Sequence, residues 1–116
     1  MQNQIDKLIQ DIKDSYAGRH IGGDTDMKKK VYADMTKEFN DNLEVRPGNK
    51  YIKIVSKQYG VWGFIVNTDK DKKFKKGDIL MAAGFNAPAR NQARGNVITG
   101  YNIHQLFWTG PAYLRG

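Results

Sequence analysis

Tyr51-Ile52-Lys53-Ile54-Val55-Ser56 and Val61-Trp62-Gly63-Phe64-Ile65-Val66 decide the fold. Both runs are rich in β-branched and aromatic residues, and the short segment between them contains Gly60, so the pair reads as an antiparallel hairpin. Alternation along the second run would set Val61, Gly63 and Ile65 on one face and Trp62, Phe64 and Val66 on the other. Only one of those sets need be core. Trp62 is therefore either a core residue or one wall of a pocket.

Upstream of the hairpin the period changes. Ile5, Leu8, Ile9, Ile12 and Tyr16 recur at three- and four-residue steps and predict a first amphipathic helix ending near Tyr16, with Gly18 suited to its end. Asp24 or Thr25 can cap a second helix, in which Met27, Val31, Met35 and Phe39 recur every four residues, flanked by Tyr32 and Leu43. That helix is expected to reach about Asn42. Arg46-Pro47-Gly48-Asn49 closes the helical half. Downstream, Asn67 to Lys76 reads as a lysine-rich loop, Ile79-Leu80-Met81-Ala82-Ala83 as a third strand, and 96–99 and 103–108 as weaker strands. The expectation is one α+β domain over 1–116: two N-terminal amphipathic helices (1–45) followed by a small, mostly antiparallel β-sheet or partly open barrel (50–116).

The net charge of +7 is unevenly placed. Residues 1–48 hold eight Lys or Arg against nine Asp or Glu, whereas residues 49–116 hold eleven against three. A positive field over the second half attracts anions: a nucleotide, a nucleic acid or an acidic protein. There is no cysteine, which removes disulfides and thiolate metal sites and fits a reducing, cytoplasmic setting. The first residues lack the apolar core of a signal peptide, and no run approaches the ~20 apolar residues of a membrane span. With 116 residues the chain gains from self-association, so a homo-oligomer is expected.

The least generic stretch is Gly84 to Asn96. Phe85 offers a ring for stacking, Asn86, Asn91 and Asn96 can read a base edge, and Arg90 and Arg94 carry planar forks that match phosphate. The alternative is a turn whose Asn and Arg side chains satisfy local carbonyls. If the arginines hold phosphate, Arg90→Ala or Arg94→Ala should weaken capture and leave folding intact. A second candidate is Arg19-His20-Ile21-Gly22-Gly23, where a glycine pair before a helix can turn amides toward an anion, with Arg19, His20 and Gly22 around it. A plain turn explains it as well.

Catalysis is poorly supplied. His20 and His104 are the only histidines and neither has a metal ligand at helical spacing, so no metal and no cofactor are expected. No Gly-x-Ser-x-Gly elbow and no GxxxxGK[ST] loop occur, and Asp69, Asp71 and Asp78 sit in or beside the lysine-rich loop, where ordinary acidity is expected.

Phe64-Ile65-Val66, Lys76-Gly77-Asp78-Ile79-Leu80, Pro88-Ala89-Arg90-Asn91, Ala93-Arg94-Gly95-Asn96 and Trp108-Thr109-Gly110 together resemble the first type of phage Thoeris anti-defence proteins, over most of residues 1–115. The resemblance implies a non-enzymatic sponge that binds cyclic nucleotide immune signals, such as cyclic ADP-ribose isomers, and holds them uncleaved. It also implies a homo-oligomer, dimer or hexamer, in which separate pockets take cyclic dinucleotides or trinucleotides. Phe85, Arg90, Asn91 and Arg94 match the residue types expected around a base and a phosphate, and Arg19, His20 and Gly22 those of a second pocket. Two other readings fit the charge: a nucleic-acid module in which Lys70, Lys72, Lys73, Lys75 and Lys76 track a backbone, and a protein inhibitor of a host enzyme.

Overall fold

A computed structural model describes the backbone of residues 1–18, 26–90, 92–101, 106–107 and 110–111. The first helix, α1, spans Gln2–Gly18, and the second, α2, spans Asp26–Asp41. In α1 the stripe read from the sequence is the buried one: Ile5, Leu8, Ile12 and Tyr16 all lie inside. Full burial of such side chains stabilises by about 1.5–3 kcal/mol each, which is what holds α1 on the sheet. Its outer side is laced by pairs four residues apart, Gln2 to Asp6 at 2.8 Å, Lys7 to Asp11 at 3.2 Å and Gln10 to Asp14 at 2.9 Å.

The α2 stripe docks only at its end. Phe39 is fully buried and stacks on Tyr16 at 4.1 Å between ring centroids, whereas Val31 is half exposed and Met35 partly so. Asn42 ends the helix by returning its side-chain amide to the Glu38 carbonyl at 2.8 Å.

The chain then turns directly into a strand that the helical reading of Leu43 concealed. β1 (Leu43–Arg46) precedes β2 (Tyr51–Ser56), β3 (Gly60–Val66) and β4 (Ile79–Leu80), and the four form an antiparallel sheet in that order. The helical part thus stops at Asp41 rather than 45. β1 is an edge, and Glu44, ion-paired with Arg46 at 3.1 Å and with Lys57 at 2.9 Å, lines it with charge that opposes pairing with another chain.

The hairpin forms as read, with one irregularity that settles Trp62. Ile54 pairs with Gly63 but Val55 pairs with Val61, so Trp62 is an extra residue in β3, a β-bulge. The bulge shifts the alternation by one. Trp62 consequently joins Ile65, Ile52, Ile54 and Ile79 in the core under α1, while Phe64 and Val66 point to the other face, against Phe74 and Leu80. Both faces of β3 are buried.

The expected third strand breaks at Met81. Ile79-Leu80 stays in the main sheet, and Ala82–Gly84 (β5) peels away to pair with Ala87–Pro88 (β6) in a separate hairpin. Residues 97–99 form a turn rather than a strand, and Leu106–Phe107 (β7) pairs with Gly110–Pro111 (β8). The fold is α+β, with an open four-stranded antiparallel sheet and no closed barrel among the described residues.

Candidate functional site

The outer face of the sheet, opposite α1, carries the lysine-rich loop 67–78 and the segment that follows β6. Phe74 anchors that loop by inserting among Phe64, Val66 and Leu80. Asn67 ties its start to the turn before β2, donating from its side chain to the Gly48 carbonyl at 2.8 Å and from its backbone to Lys50 at 2.8 Å. Between these strapped segments lies a groove of about 510 Å³, lined by Asn49 and Lys50, by Thr68, Lys70, Asp71 and Lys72, and by Arg90.

Asp71 and Arg90 form the groove's inner joint. Their side chains meet in a two-bond ion pair of 2.9 and 3.0 Å, with Asp71 1% exposed and Arg90 39%. The same guanidinium donates to the Tyr51 hydroxyl and lies over the Phe74 ring at 5.0 Å. Asp71 also accepts from the backbone amides of Lys73 and Phe74 at 2.9 and 3.0 Å, an Asx turn that shapes the loop. Lys73 closes the arrangement by donating to the Arg90 carbonyl at 2.5 Å.

The bond from Arg90, followed by those from the two amides, holds the Asp71 carboxyl far below its ordinary range, and the same pairing raises the Arg90 guanidinium further above its own. The ordinary acidity expected for Asp71 from its exposed-looking loop is corrected here. Because the folded carboxyl is the more acidic one, the stability it contributes is present above its ordinary value of 3.8 and is lost only as pH falls through the depressed one. Following the Asp71 carboxyl carbon by NMR should show no titration step from neutral pH down to about pH 3, where a free aspartate would already be mostly protonated.

The groove is therefore cationic in effect. Its carboxylate is bonded internally, whereas Lys50, Lys70 and Lys72 make no ion pair among the described residues, and only Lys50 lies near a ring, that of Tyr51. Three ammonium groups, with the outer edge of Arg90, surround space that an anion can enter.

The residues singled out from the sequence divide sharply. Arg90 lines the groove. Phe85 and Asn86 form the tip of the β5–β6 hairpin, where Phe85 is 57% exposed. Lys53 of β2 reaches that tip, its ammonium 3.5 Å from the Phe85 ring centroid and 3.1 Å from the Asn86 side-chain oxygen.

Arg94, Asn96 and Trp62 turn inward instead. Arg94 is buried, donates to the Gln92 carbonyl at 2.6 Å and touches the Met81 sulfur, and burial lowers its pKa. The expectation that Arg94→Ala leaves folding intact does not hold for a side chain so placed. Asn96 is buried too, donating to Asp78 at 2.9 Å and to the Lys76 carbonyl at 3.0 Å while accepting from the amides of Ile98 and Thr99 at 2.7 and 3.0 Å. It works as a knot between loops. Beside it Gly95 adopts φ +142°, and a Cβ there would come within 2.5 Å of Tyr101. Asn91, Arg19, His20 and Gly22 lie outside the described residues.

Asn49, Lys50, Thr68 and Asp71 were not singled out as site residues. One local signal for the last was legible: Asp71-Lys72-Lys73-Phe74 has an acceptor at the start of a turn and an apolar residue at its close. Among the described residues no cluster of three His, Cys, Asp or Glu is placed to hold a metal, and no helix is long and apolar enough to cross a membrane. Comparison with protein-family models, with curated proteins and with solved structures returned no match.

Proposed function

We propose that the chain is a non-enzymatic sponge that captures a phosphate-bearing nucleotide in the groove beneath the lysine-rich loop and holds it intact. The observation that carries this reading is the groove's charge: Lys50, Lys70, Lys72 and Arg90 surround a carboxylate that is already bonded to Arg90 and to two backbone amides. A carboxylate so engaged is a poor general base, since removing a proton from substrate would require breaking the bonds that keep it ionised. Retention without chemistry follows from such an inventory.

The resemblance to Thoeris anti-defence proteins supplies the ligand class, a cyclic nucleotide immune signal such as a cyclic ADP-ribose isomer or a cyclic dinucleotide. The same reading sets the protein in the cytoplasm of an infected bacterium, blocking defence by sequestration, and includes self-association into a dimer or hexamer.

The test is to incubate purified protein with cyclic ADP-ribose isomers and cyclic dinucleotides, remove free ligand, denature by heat and identify what is released by mass spectrometry. Intact nucleotide is the expected result. The double variant Lys70→Ala/Lys72→Ala should retain roughly tenfold less, the scale of losing charge-assisted bonds. Release of a cleaved product, or of nothing from folded protein, would sink the proposal. A nucleic-acid reading draws on Lys73, Lys75 and Lys76, exposed outside the groove lining. Salt separates the two: polyanion binding falls steeply as counterions are released, and capture of a small enclosed nucleotide falls far less.

A further inference from the structure

We infer that the tip of the β5–β6 hairpin is a base-stacking shelf for the same groove, so that the ligand is a nucleotide carrying two or more phosphates and an unpaired base. This rests on the groove being the phosphate site.

An aromatic ring more than half exposed on a small basic domain is costly unless something covers it. Phe85 is not merely left outside. The Lys53 ammonium sits 3.5 Å from its centroid and also grips Asn86 at 3.1 Å, so the tip is pinned to β2 from below and one ring face is occupied. The other face remains open to solvent. A cation on one side draws π density from the ring, which favours an electron-rich base on the other.

Strand β2 joins this shelf to the groove. Lys53 supports Phe85 and Tyr51 supports Arg90, and the two lie two residues apart on the same side of one strand, about 7 Å between their roots. Lys50, just before Tyr51, is already in the groove lining. A ligand with its phosphates among Lys50, Lys70, Lys72 and Arg90 therefore has an exposed ring within one further step along β2. Three separate lysines suit more than a single phosphate charge, and the ring adds nothing for an anion that lacks a base.

Isothermal titration of the full chain with inorganic pyrophosphate and with ADP separates the two halves. Wild type is expected to bind ADP more tightly than pyrophosphate. Phe85→Ala should weaken ADP by about fivefold or more, the scale of one base–aromatic stack, and Phe85→Trp should restore it. Equal affinity of wild type for the two probes, or ADP binding unaffected by Phe85→Ala, would overturn this inference while leaving the groove in place. Failure of wild type to bind pyrophosphate would overturn the groove itself, and the shelf with it.

Discussion

Trp62→Ala is expected to destabilise the protein by about 3–5 kcal/mol, the range for removing a large aromatic side chain from a packed core. Trp62 is 3% exposed and packs with Ile54, Ile65 and the α1 stripe, so the variant leaves a cavity between helix and sheet that the bulged backbone is poorly able to close. Urea unfolding measures it directly. The folded fraction should still capture ligand, because the indole is on the α1 face and the groove on the opposite one. A loss under about 1 kcal/mol together with failed capture would return Trp62 to a pocket.

Asn96→Ala is expected to cost about 2–4 kcal/mol, because one truncation strips partners from several groups at a buried junction. The Ile98 and Thr99 amides lose their acceptor, and Asp78 and the Lys76 carbonyl lose their donor. Amide hydrogen exchange gives a signature that a general loss of stability does not: Ile98 and Thr99 should exchange faster than the β2 and β3 amides under conditions where the whole fold is intact. Uniform acceleration across the chain would show that Asn96 is not the tie between those loops.

The elements that were legible in the sequence are those whose side-chain periodicity is long and unbroken. Ile5 through Tyr16 repeats over more than three turns, and the β2–β3 hairpin has a β-branched body on both sides of Gly60. β1 was hidden because Leu43 sits in phase with the α2 stripe, while Leu43-Glu44-Val45-Arg46 is too short to advertise its own two-residue period. Pro47-Gly48 then looked like the helix's end when it closes a strand.

Trp62 shows a different limit. Strict alternation sets it beside Phe64, and only the extra residue revealed by the pairing of Val55 with Val61 sends it to the opposite face. Nothing in the local sequence marks that insertion. The segment 84–96 shows the converse: its Arg and Asn content suggested recognition throughout, yet Phe85, Asn86 and Arg90 reach the surface while Arg94 and Asn96 satisfy buried carbonyls and amides. Composition could not sort them, because the same donors serve both purposes. The groove drew least attention because its walls come from residues about 20 positions apart, Asn49, Thr68 and Arg90, which only tertiary packing brings together.

The straps across that groove bear on how the protein would hold a ligand. Asn67 on Gly48, Asp71 on Arg90 and Lys73 on the Arg90 carbonyl fix three chain segments to one another in the unliganded fold. The entropy of ordering these segments, and the work of gathering several like charges, are met when the chain folds. An arriving anion finds its cavity already assembled, so its binding energy is not spent on reorganising the host. Such a host needs no lid to retain its guest, and its speed of uptake is set by encounter rather than by closure.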